Sequence, residues 1–210
     1  DYLAVHLADN GYDLKATLVL VASSRAYASA SVNWDDKAPI EEYAFAGPAP
    51  KRMTAEQFVD GLWQMTDTGP REPHKNVAEF LTDVEKKEHS SYRASLVNSD
   101  LLMRSLGRPN REQVVSDRPA VLTTLQALDL SNSPLLAETL SRGADSVLKR
   151  FAGQDPTAIV EWLYDAALSR SPTPEERSIA VDVLGPAPNA QGVEDLLWMV
   201  MMLPEFQIVR

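Results

Sequence analysis

Apolar residues recur along the chain at the three- and four-residue spacing of helices, and the breaks between these stretches hold capping residues, proline and glycine. The first stretch, 1–10, ends at Gly11, a residue able to take the left-handed conformation that closes a helix. Asp13 then caps a second, in which Leu14, Leu18 and Val21 share a face. The run Leu18, Val19, Leu20, Val21 would also suit a buried strand, but the spacing favours helix. Residues 30–52 hold Pro39, Gly47, Pro48 and Pro50 with no sustained period, and they predict one long surface loop.

Thr54 with Gln57 forms a capping box ahead of the stripe Phe58, Leu62 and Met65. Asn76 with Glu79 repeats that pattern for a helix reaching about His89, and a short helix over 99–106 stops at Gly107. Pro119 opens a helix carrying Leu122 and Leu125. Ser133-Pro134 opens the next, whose Leu136, Leu140, Ala144, Val147 and Phe151 share a face. Asp155-Pro156 starts another with Ile159, Leu163 and Ala166 inward, and Thr173-Pro174-Glu175-Glu176 combines an N-cap, a first-turn proline and a box glutamate. A final helix over 192–203 turns Leu196, Leu197, Val200 and Met201 to the core. The fold class is therefore all-α, an irregular helical bundle or array with the long loop at 30–52 and little or no sheet. We read one helical domain over 1–210, divisible if at all near residue 105, and a start inside a helix without methionine or signal peptide predicts a fragment whose true beginning lies upstream or was removed.

Composition narrows the chemistry. The formal charge of −10 is spread over both halves, with 11 Lys/Arg against 16 Asp/Glu in residues 1–105 and 9 against 14 in the rest. No broad basic face is present for a phosphate backbone, so nucleic acid is not an expected partner. Cysteine is absent, which removes disulfides, thiolate metal sites and c-type haem attachment from this segment. Apolar runs such as 196–203 fall short of the roughly 20 residues of a membrane span. No glycine-rich phosphate loop, nucleophile elbow or zinc-binding His-Glu helix occurs, and we assign no catalytic residue and no metal ligand. Glu85 and His89, a helical turn apart, suit a solvated ion pair better than a metal site, which needs more ligands. His6 and His74 stand alone. The acidic pairs Asp35-Asp36 and Glu41-Glu42 lack the alternating spacing of a calcium loop, and Trp34, Tyr43 and Phe45 read as anchors of that loop.

One segment departs from the acidic background. Arg104, Arg108, Arg111 and Arg118 face only Glu112 and Asp117, a local balance of +2, with Asn110 and Gln113 as neutral donors. Guanidinium groups take carboxylate, sulfate or phosphate through paired hydrogen bonds, so Arg104, Arg108, Asn110, Arg111, Glu112, Gln113 and Arg118 are the candidate binding residues. Internal pairing of these arginines with the domain's own carboxylates is the competing reading.

The runs Tyr12-Asp13-Leu14-Lys15, Met53-Thr54-Ala55-Glu56-Gln57-Phe58, Leu106-Gly107-Arg108-Pro109-Asn110-Arg111-Glu112-Gln113-Val114-Val115 and Leu122-Thr123-Thr124-Leu125-Gln126-Ala127-Leu128 carry a family resemblance. So do Leu168-Ser169-Arg170-Ser171-Pro172-Thr173-Pro174-Glu175-Glu176 and Leu203-Pro204-Glu205-Phe206. Together they resemble the C-terminal domain of unknown function that closes large cytochrome-c-associated proteins of the planctomycete type. The resemblance implies an exported, periplasmic or cell-surface multidomain protein with haem c on an upstream domain and none in this segment. It also implies a link in some members to the use of sulfated polysaccharides. The expected function is a non-catalytic binding or docking module whose partners are other domains of the same polypeptide or an anionic glycan. The alternative is a share in an interdomain hydrolase or oxidoreductase site.

Overall fold

The structure, a computed structural model, describes residues 1–32, 44–72, 91–109 and 123–209. The predicted helix over 76–89, the opening at Pro119 and the middle of the long loop lie outside them. Among the described residues the chain is all-α. Its sheet is confined to Lys51–Arg52 and Ile208–Val209, two strands of two residues paired with each other. Chain contacts divide it into two units, Asp1–Lys51 with Val209–Arg210, and Arg52–Ile208.

The smaller unit holds α1 (Tyr2–Asp9) and α2 (Leu14–Ala22), packed as a hairpin. The connector turns on Gly11 at φ 64° and Tyr12 at φ 63°. Asp13 caps α2 as its side chain anticipates, accepting from Ala16 N at 3.0 Å.

The larger unit begins with α3 (Ala55–Thr66), where both halves of the capping box form: Gln57 N donates to Thr54 Oγ1 and Thr54 N to Gln57 Oε1. A 3-10 turn (Ala94–Leu96) leads to α4 (Leu101–Ser105). Asp100 caps α4 by accepting from Met103 N at 2.7 Å, and the helix begins two residues later than the sequence pattern placed it. Then follow α5 (Thr124–Asn132), α6 (Pro134–Arg150), α7 (Pro156–Leu168), α8 (Pro174–Leu184) and α9 (Ala190–Met202). The described part of α5 is capped by Thr123 with Gln126 in a box that the sequence pattern did not single out. Asn189 begins α9 two residues ahead of the expected start by accepting from Gly192 N.

Packing centres on α9, whose Val193, Leu196, Leu197, Val200 and Met201 are all at 1% exposure or less. It lies against α6, α8 and α7, and α3 in turn covers α6 and α7. The apolar stripes read from the sequence supply these faces: Leu136, Leu140, Ala144 and Val147 from α6, Ile159 and Leu163 from α7, and Phe58, Leu62 and Met65 from α3, while Ala166, expected inward on α7, is exposed. Phe206 then closes the core edge-on to Phe58 at 5.6 Å.

Within the larger unit the closest approach at a glycine is at Gly143 of α6, where an added Cβ would overlap the side chain of Thr66. Thr66 cannot retreat, because it is fully buried and its hydroxyl donates to Leu62 O at 2.6 Å. Gly143→Ala should therefore lower stability by about 1–3 kcal/mol despite alanine's better helix propensity. Ser141→Ala, on the exposed side of the same helix, should shift it by less than about 0.5 kcal/mol. Equal denaturation midpoints for the two variants would contradict this packing.

Candidate functional site

Two of the candidate arginines fall within the described residues, and they serve different places. Arg104 sits exposed on α4, its Nε donating to Asp100 O at 3.2 Å. It borders an open depression of about 740 Å³ shared with Leu101, Asp129, Asn132 and Glu138. Two carboxylates therefore accompany that one guanidinium.

Arg108 turns inward. Its side chain is 12% exposed. Nη1 donates to Ala94 O at 2.8 Å and lies 2.9 Å from Met103 Sδ. Nη2 reaches Val97 O at 3.1 Å and Ser95 O at 3.4 Å, and Nε stands 3.6 Å from Glu56 Oε1. The planar fork thus gathers the carbonyls of an irregular segment that has no ladder of its own. Internal pairing, the competing reading for this segment, describes Arg108. Asn110, Arg111, Glu112, Gln113 and Arg118 lie outside the described residues, as do His74, His89, Glu85, Asp35, Asp36, Glu41, Glu42, Trp34 and Tyr43. Phe45 is exposed.

One turn along α3 from Glu56, Asp60 holds the same segment from its other end. Its Oδ2 accepts from Arg93 Nε and its Oδ1 from Ala94 N, both at 2.6 Å. The two carboxylates share a helix face because they are four residues apart. Arg52 is held differently. Its Nη1 donates to Gln126 Oε1 at 2.8 Å, an amide rather than a carboxylate, and burial lowers its pKa.

The densest ionic cluster was not foreseen as a unit. Arg170 donates from Nη1 and Nη2 to the two oxygens of Glu176, both at 2.8 Å, and from Nη2 and Nε to Glu205 at 2.8 and 3.1 Å. Its guanidinium also lies 5.6 Å from the Tyr164 ring centroid. Glu176 accepts from Thr173 N at 2.7 Å as well, so one carboxylate closes the α8 capping box and grips the arginine. Hydrogen bonding to Arg170 brings the Glu176 pKa down to about 2, and the same bonds raise that of Arg170. Burial raises the Tyr164 hydroxyl, with Glu176 adding to it. Nearby, Arg177 pairs with Glu161. The box Thr173–Glu176 was legible from sequence; Glu205, 35 residues from Arg170, left no local signal. Among the described residues no group of three or more His, Cys, Asp or Glu could hold a metal ion, and no helix is long and apolar enough to cross a membrane.

The smaller unit presents the opposite chemistry. Among its described residues Thr17 alone is buried, and His6 Nδ1 lies 3.4 Å from its hydroxyl. Tyr2, Leu3, Val5, Tyr12, Leu14, Leu18 and Val19 are exposed, the last two at 58% and 59%.

A model of PSD1, a protein of unknown function (DUF1553), matches residues 1–184. No curated protein and no solved structure matches the chain.

The Arg170 cluster sets an acid dependence. The Glu176 carboxylate is held below its ordinary value of 4.5, so its contribution is complete above that pH and is lost as pH falls from about 4.5 through about 2. Solvent reaches roughly a third of these side chains, so Arg170→Gln should cost about 1–2 kcal/mol at pH 7. It should also flatten the stability-against-pH curve over that window. A variant whose curve runs parallel to the parent's would refute the assignment.

Proposed function

The chain belongs to the PSD1 family of proteins of unknown function (DUF1553), and on that premise we propose that it is a non-catalytic docking module of an exported, cytochrome-c-associated protein. In this reading the apolar side of its first unit packs against another domain of the same polypeptide. The observation that carries it is α2 itself. Lys15 and Thr17 are the polar residues of a helix that otherwise reads Leu, Ala, Leu, Val, Leu, Val, Ala. A helix apolar on nearly every side is stable when covered on nearly every side. Here Leu14, Leu18 and Val19 face solvent beside Tyr2, Leu3 and Val5 of α1. Exposed apolar side chains on both helices of one hairpin, in a chain of charge −10, mark an interaction face.

The extracytoplasmic setting, with haem c on another domain, rests on the sequence resemblance. An anionic, for instance sulfated, glycan is the second ligand in this reading. It is supported by the exposure of Arg104 and would draw on Arg111 and Arg118, with Asn110 and Gln113 as donors.

The test uses the full-length protein. Leu18→Glu with Val19→Lys adds charge at positions already exposed, so it should leave the unfolding midpoint of residues 52–208 unchanged. Amide exchange in α2 should rise by about tenfold or more as docking is lost. If α2 exchanges equally fast in parent and variant, the docking face is wrong. Loss of an activity of the full-length protein on Glu112→Gln, with docking intact, would favour an interdomain enzyme site instead.

A further inference from the structure

An open groove of about 480 Å³ runs along the outer side of α3, between that helix and residues 91–93. Gln57, Asp60, Gly61, Gln64 and Asp67 reach it because the three- and four-residue steps bring them to one face. Its charges are already matched: Asp60 with Arg93 at 2.6 Å, and Asp67 with Arg71 at 3.6 Å. What remains is neutral. The Trp63 ring is half-buried, its inner part packed on the core. Gln57 uses its Oε1 on the capping box and keeps its amide N–H groups. Gln64 and Ser91, both exposed, make no side-chain bond among the described residues.

From this set we infer that the α3 groove binds a neutral saccharide segment. An indole face suits the C–H face of a pyranose ring, while amides and a hydroxyl, each able to donate and accept, suit ring hydroxyls that do both. The lining sets two carboxylates, Asp60 and Asp67, against one guanidinium, Arg93, which already pairs with Asp60, so an anion meets a net negative surface. A peptide held by aliphatic anchors would find no aliphatic side chain among the described residues that line the groove. The volume lies within the ordinary range for ligand clefts, about 300–1,000 Å³. The site is separate from the α1–α2 face and stands or falls independently of it.

The experiment is saturation-transfer NMR and calorimetry on the protein with maltohexaose, cellohexaose and xylohexaose, with a sulfated oligosaccharide and a mixed peptide library as contrasts. At least one neutral hexasaccharide should bind with a Kd of about 0.1–1 mM, unchanged between low and high salt because no ion pair forms. Trp63→Ala should weaken it by about tenfold or more. Gln64→Ala, a change at an exposed helix position that leaves the fold alone, should weaken it by about threefold. Trp198→Ala, which removes a partly exposed indole elsewhere, should leave it unchanged. Binding of none of the neutral sugars overturns the inference. So do affinities unaltered by Gln64→Ala, binding restricted to the sulfated sugar and abolished by salt, and binding restricted to peptide.

Discussion

The larger unit is arranged around α9, a helix buried along one broad face and exposed at Gln191, Asp195 and Trp198. α9 buries Val193, Leu196, Leu197, Val200 and Met201 almost completely, and that requires neighbours on three sides. α6, α7 and α8 supply them, and α3 closes over α6 and α7 from outside. Such an arrangement tolerates little spare volume. Glycine stands at two of its close contacts: Gly143 against Thr66, and Gly192, where a Cβ would sit 2.9 Å from Val183 O. The direction in which α3 presents its outer face follows from this packing, and so does the shape of the groove along it.

The ionic groups divide the labour differently from the apolar ones. Helix contacts are mostly apolar, with Arg177 and Glu161 pairing across α8 and α7, whereas two other sets of ion pairs hold irregular chain. Glu56 and Asp60 on α3 fix residues 93–108 through Arg108 and Arg93, and Glu176 with Glu205 fixes the turn after α7 through Arg170. The backbone in those connectors lacks a ladder to satisfy its carbonyls, and a guanidinium can satisfy several at once. An arginine-rich stretch in an acidic protein is therefore open to two meanings, a receptor for outside anions or a brace for inside carbonyls. Arg108 belongs to the second kind, while Arg104 stays at the surface.

What was legible in the sequence was what is local. Asp13, Thr54, Ser133, Asp155 and Thr173 cap the helices their spacing announced, because a cap and its amide are two or three residues apart. The apolar stripes of α3, α6, α7 and α9 were legible for the same reason. The starts of α4 and α9 each slipped by two residues: Ser99 stands beside Asp100 as an equally plausible cap, and Asn189 lies well ahead of the apolar run that it caps. The contacts of Arg108 with Glu56, and of Arg170 with Glu205, join positions tens of residues apart, which periodicity cannot pair. The groove was illegible too, since Ser91 and Arg93 meet α3 only after an intervening stretch of chain.

The braced connectors change where the molecule is brittle. Surface loops ordinarily absorb insertions and sequence drift more readily than the elements they join. With Arg108 holding three carbonyls of residues 94–97, and Arg170 holding two carboxylates on adjoining edges of its guanidinium, a length change in either connector would unseat a whole set of bonds at once. An engineer looking for a place to graft a tag or split this chain should leave those two stretches alone.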